Sequence, residues 1–88
     1  MSATSRGTGA VPRLTLYSRA YCHLCHDMQV ALESLRGEYE FELQVLDVDA
    51  DPLLLARYDE RVPVLVAGER ELCHYFLDAA AVRAHLAR

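Results

Sequence analysis

Cys22 and Cys25 stand two residues apart, with His23 and Leu24 between them, in a chain whose third cysteine, Cys73, lies far downstream. A thiol pair at this spacing is the part of the sequence best equipped for chemistry. The pair follows a short apolar run, Leu14 to Tyr17, and opens an amphipathic segment. That context puts Cys22 at a helix N-terminus, where unpaired backbone N–H groups and the helix dipole stabilise a thiolate over a thiol. Cys25, three residues on, lies on the same side of the first turn, within reach of a disulfide. The outer Cys22 can then attack a disulfide, and the inner Cys25 can resolve the mixed intermediate. Both are read as catalytic residues of a small thiol–disulfide oxidoreductase.

Neighbouring residues add to this chemistry or compete with it. A protonated His23 inside the turn would favour the Cys22 thiolate and make the disulfide more oxidising. Tyr21, next to the nucleophile, is read as a substrate-binding residue that shields the site or fills it. Cys22, His23, Cys25 and His26 also form a dense set of soft-metal ligands, so the competing reading is a non-enzymatic zinc-binding or redox-sensing module acting on a partner protein. Consecutive helical residues do not all point one way, so Cys73 or His74 would have to complete such a shell. No metal is therefore assigned. Cys73, in an alternating stretch, reads as an inert buried thiol.

Composition narrows the remaining classes. The 88 residues, 52% apolar, make one small domain with little stability to spare. A formal charge of -4 gives no support to a nucleic-acid partner. All nine basic residues are arginine, which excludes lysine chemistry. No stretch approaches the roughly 20 apolar residues of a membrane span. Residues 1–12 are rich in Ser, Thr, Gly and Ala and lack a signal peptide's apolar core. They are expected to form a disordered lead to a single domain over 13–88. Three cysteines are too few for a disulfide-stapled secreted framework, so a cytoplasmic monomer is expected.

The elements that must position the dithiol follow from periodicity and punctuation. Arg13 to Tyr17 reads as a buried strand, and Ser18 to Tyr21 as the loop delivering Cys22. Met28, Ala31, Leu32 and Leu35 recur at helical spacing, and Arg36-Gly37 reads as the stop. Phe41 to Val48 is a second strand. Asp51-Pro52 starts a short helix that runs to about Tyr58, with an N-cap carboxylate and proline at the first helical position. Val64–Val66 and Glu71–Tyr75 form a hairpin turning at Gly68-Glu69. Asp78 caps a last helix running to about Ala87. The acidic run Asp49, Asp51, Asp59 and Glu60 reads as a solvated face able to repel acidic partners. The resulting order is β-α-β-α-β-β-α, an α/β class with a parallel pair joined by a right-handed crossover.

With these features in place, the chain resembles the glutaredoxin-like branch of the thioredoxin superfamily, over nearly everything after the lead. Leu14-Thr15-Leu16-Tyr17-Ser18 followed by Cys22-His23-Leu24-Cys25 is similar to that family's opening strand and active-site turn. Leu46 to Pro52 and Val62-Pro63 are similar to its second-strand exit and proline turn. The resemblance implies a thioredoxin fold, a four-stranded mixed sheet flanked by helices. It implies a cis Pro63 packed beside the dithiol, and a Val62 whose backbone pairs with an extended substrate. It implies glutathione as a reductant with no bound cofactor, held by Arg19, Arg61 and Asp78, and a disulfide-containing protein or small thiol as substrate. The chain departs from the family in two places. His74-Tyr75-Phe76-Leu77-Asp78 replaces a Gly-Gly-x-Asp turn, and His23-Leu24 replaces proline-tyrosine.

Overall fold

The computed structural model describes residues 11–87. The expected lead lies outside them except for Val11 and Pro12, and the Pro12 carbonyl already accepts the N–H of Glu42 at 2.8 Å. The elements are β1 (Arg13–Ser18), α1 (His23–Leu35), β2 (Glu42–Asp47), α2 (Pro52–Tyr58), β3 (Val64–Ala67), β4 (Arg70–His74) and α3 (Ala79–Leu86). Single 3₁₀ turns at Val48–Ala50 and Asp59–Arg61 flank α2.

One four-stranded sheet has the order β2-β1-β3-β4. β1 pairs parallel with β2, Leu16 opposite Val45, and antiparallel with β3, Leu16 opposite Leu65. β3 pairs antiparallel with β4, with a bulge between Leu65 and Val66. The central position of β3 explains its unbroken apolar run. Val64, Leu65 and Val66 are all buried because both faces of the sheet are covered there. Alternation then divides the core in two. Leu14, Leu16 and Leu65 pack with Met28, Leu32 and Leu35 of α1 and Val82 of α3. Val64 and Val66 pack with Val48, Tyr58, Val62 and Cys25.

The caps read from the sequence are in place. Asp51 accepts the N–H of Leu53 at 2.9 Å, and Asp78 that of Ala81 at 3.0 Å. The β3–β4 turn has positive φ only at Gly68, at 63°, as a two-residue hairpin with glycine in its first central position requires.

Helix α1 stops at Leu35, just before the expected Arg36-Gly37, while the second strand is shorter than expected, Glu42–Asp47, because Val48 opens a 3₁₀ turn. The expected glycine stop at Gly37 is not a left-handed one, since among described glycines only Gly68 has positive φ. Helix α1 instead tightens, with Gly37 N–H bonding Ser34 O and Glu38 N–H bonding Leu35 O. The last strand ends at His74, because Tyr75 turns to a φ of 64° and leaves the ladder.

Candidate functional site

The dithiol stands where β1 ends and α1 begins. Ser18 to Tyr21 carries the chain off the sheet, and Tyr21 turns it with a φ of 60°. Cys22 is then the N-cap of α1, in extended conformation at φ -109° and ψ 112°. Its Sγ accepts the backbone N–H of Cys25 at 3.1 Å, and its carbonyl accepts that of His26 at 3.0 Å. A cysteine sulfur here takes the place of the usual Ser, Thr, Asp or Asn capping oxygen. The Cα atoms of Cys22 and Cys25 are 5.2 Å apart and their sulfurs are at disulfide bonding distance. Cys22 is half-buried, whereas Cys25 is only 3% exposed. One sulfur can be approached and the other is enclosed.

Around the pair opens a cavity of about 530 Å³, lined by Ser18, Arg19, Tyr21, His23, His26 and Gln29 with the two cysteines. Gln29 was not singled out in the sequence. Its signal was spacing, since Cys22, His26 and Gln29 stand at i, i+4 and i+7 along one helix face. Behind the dithiol, Val62 and Cys25 share a core cluster, with Tyr17 and Cys22 packed against it. The Val62–Pro63 bond is cis, and the Pro63 carbonyl accepts the N–H of Tyr75 at 2.9 Å. Tyr17 and Tyr58 stack with ring centroids 4.3 Å apart. Burial, then the charge and hydrogen bond of Tyr58, push the Tyr17 hydroxyl above its ordinary range.

The charged side chains near the site hold partners within the chain. Arg19 grips Asp49 with two hydrogen bonds, at 2.9 and 3.1 Å, and reaches Asp59 at 3.5 Å. The bonds to Asp49 and its charge raise the guanidinium further above its ordinary value. Arg61 pairs with Glu71, which also bonds His74 Nδ1 at 2.9 Å. Burial raises the Glu71 carboxyl, but the hydrogen bonds and charges of Arg61 and His74 together outweigh it, leaving that group below the usual carboxylate range. Asp78 is the α3 cap. The acidic run therefore divides by role. Asp49 and Asp59 hold Arg19, Asp51 caps α2, and Glu60 is exposed. His74 is tied to Glu71, and among the described residues no three His, Cys, Asp or Glu side chains converge as a metal-binding group. Cys73, half-buried on β4, has its thiol pushed up by burial. No described helix is long and apolar enough to cross a membrane.

Comparison with known proteins agrees with this architecture. A solution structure of protein Ne2328 from Nitrosomonas europaea is 42% identical, covering 86% of this chain and 92% of that one, with a TM-score of 0.79. The glutaredoxin-like protein NrdH-redoxin from Escherichia coli is 31% identical over 83% of this chain and 95% of that one, with a TM-score of 0.59. An uncharacterized protein from Mycobacterium tuberculosis is 32% identical over 88% of this chain and 84% of its own length. The family model described as "Glutaredoxin-like domain (DUF836)" matches residues 13–87. The chain belongs to the glutaredoxin-like domain family, with a thioredoxin fold and a Cys22–Cys25 pair where β1 gives way to α1.

Proposed function

We propose that the chain is a small cytoplasmic thiol–disulfide oxidoreductase. The observation that carries this reading is the capped Cys22 sulfur, half-buried and bonded to the Cys25 N–H, beside an enclosed Cys25. A helix N-terminus offers a thiolate both a hydrogen-bond donor and a favourable dipole. His23, on the same cavity wall, adds positive charge when protonated. In the reducing direction, the Cys22 thiolate attacks one sulfur of a substrate disulfide and forms a mixed disulfide. The first substrate thiolate leaves and takes a proton. The Cys25 thiolate then attacks the Cys22 sulfur, closing the Cys22–Cys25 disulfide and releasing the second substrate thiolate. Two electrons pass from the dithiol to the substrate, and an external thiol donor restores the pair.

The likeness to NrdH-redoxin, a glutaredoxin-like protein described as having a thioredoxin-like activity profile, supports exchange with disulfides. Glutathione is one candidate donor. The internal partners of Arg19, Arg61 and Asp78 weigh against tight binding of it.

A redox titration in glutathione buffers tests the proposal, following the pair by alkylation and intact mass on protein assayed for metal. A reversible two-electron transition between about -270 and -120 mV is expected. Thiols that resist oxidation until a tightly bound metal is removed would show a ligand cluster instead, and the enzyme reading would be withdrawn.

A further inference from the structure

Among the described residues, Arg19 is the one permanently charged side chain on the wall of the dithiol cavity. Taken alone, it would draw anions toward Cys22. The guanidinium is not free to do so. Its Nε and one Nη donate to the two oxygens of Asp49 at 3.1 and 2.9 Å, filling the paired fork that a substrate carboxylate would otherwise occupy. Its other Nη reaches Asp59 at 3.5 Å. Asp49 is itself held, because its backbone N–H donates to the Asp47 carboxylate at 2.9 Å, and Asp47 adds its charge to the same field. Asp49 and Asp59 come from separate 3₁₀ turns, one before α2 and one after it, so the fold brings two carboxylates to one arginine. Side-chain exposures of 37% for Arg19, 43% for Asp49 and 56% for Asp59 leave little stability to be gained from these pairs. They do fix the sign of the charge beside the dithiol, which is net negative.

We propose that Asp49 and Asp59 are specificity-determining residues that turn anionic thiols and disulfides away from Cys22. The small-molecule partner of the dithiol is then a neutral or cationic thiol or disulfide, one without carboxylates. This rests on the exchange reaction proposed above and names its substrate class. An approaching carboxylate must displace Asp49 from two guanidinium nitrogens, and it meets the excess negative charge as it does so. A neutral partner meets neither obstacle, and an ammonium group is attracted. The formal charge of -4 on the whole chain acts in the same direction.

The test uses three disulfides of similar size: cystamine, bis(2-hydroxyethyl) disulfide and dithiodipropionate, which are cationic, neutral and anionic at about pH 7.5. Reduced, desalted protein is mixed with each at low salt, and oxidation of the Cys22–Cys25 pair is followed by acid quench, alkylation and intact mass. Each rate constant is divided by that of dithiothreitol with the same disulfide, which removes differences in intrinsic reactivity. The cation is expected to exceed the anion about fivefold, a gap that closes as salt rises toward 1 M. Asp49→Asn combined with Asp59→Asn is expected to narrow the gap to within about twofold, and Arg19→Gln to widen it beyond about tenfold. Preference of the unaltered protein for the anion, a gap left unchanged by the paired Asn substitutions, or one that Arg19→Gln fails to widen overturns the charge selection alone. An unaltered protein whose dithiol is oxidised by none of the three overturns the exchange reading, and the selection with it.

Discussion

The backbone N–H of Cys25 donates to the sulfur of Cys22 across 3.1 Å. One bond thereby gives the two cysteines unlike surroundings: the outer sulfur is a capping acceptor, and the inner cysteine packs among Val48, Tyr58, Val62 and Val64. Spacing alone does not decide which of two thiols attacks. In the exchange proposed above, the cap and the burial favour attack by Cys22.

The roles separate by substitution. Cys22→Ser is expected to abolish disulfide exchange, because a hydroxyl cannot replace the attacking thiolate. Cys25→Ser is expected to accumulate a mixed disulfide on Cys22, visible by intact mass as the added substrate. Full activity in Cys22→Ser would reverse the assignment.

Asp49 and Asp59 set the charge beside the pair through Arg19. Asp49→Asn or Asp59→Asn is expected to speed oxidation by oxidised glutathione, a dianion, about two- to threefold at low salt. The gain should shrink as ionic strength rises toward 1 M, where screening is nearly complete. Rates that do not depend on salt would remove the electrostatic argument.

Leu65 lies on the central strand β3, fully buried between Leu16 and Cys73 of the flanking strands. Leu65→Ala is expected to cost roughly 2–5 kcal/mol in urea unfolding. Small domains hold only about 5–15 kcal/mol in all, so this variant should stand near the edge of folding. A loss under about 1 kcal/mol would mean that β3 is not the centre of the core.

Asp78 belongs to α3 by its bond to Ala81. Asp78→Ala should lose about 1 kcal/mol of stability, and Asp78→Asn much less, since asparagine caps nearly as well. If Asp78→Asn slowed reaction with glutathione while leaving stability intact, the carboxylate would instead be a substrate contact.

Burial raises the Cys73 thiol above its ordinary range. Its alkylation in the native oxidised protein should be slower at pH 8.5 than in urea. It should go on accelerating at pH values where the denatured rate has levelled. The linkage has a definite sign. The fold favours the neutral thiol, so the unfolded chain releases its proton first as pH rises. The stabilisation is complete below the unfolded thiol's value and is lost as pH rises through the folded one. Equal native and denatured rates would place Cys73 in solvent.

Local rules carried far along this chain. The helix starts at Asp51-Pro52 and Asp78 and the hairpin at Gly68-Glu69 are set by side chains that bond their own backbone or tolerate positive φ. The stop at Arg36-Gly37 holds as well, whereas the last strand loses Tyr75 where tertiary context overrides such rules. Helix α1 ends by tightening its last bonds, and Tyr75 is drawn out of the ladder while its N–H holds Pro63.

Element order and the position of a thiol pair at a helix start are legible along the chain, because both follow from periodicity and spacing within a few turns. Which charges and rings surround that pair depends on the packed fold. Arg19 meets Asp49 30 residues away and Asp59 40 away, and Arg61 meets Glu71 only because β3 and β4 fold back on each other. Tyrosine has no intrinsic preference for left-handed backbone, so nothing local announced that Tyr21 would be turned to solvent beside Cys22. Contacts between residues this far apart depend on how the sheet and helices pack, which no short stretch of sequence contains.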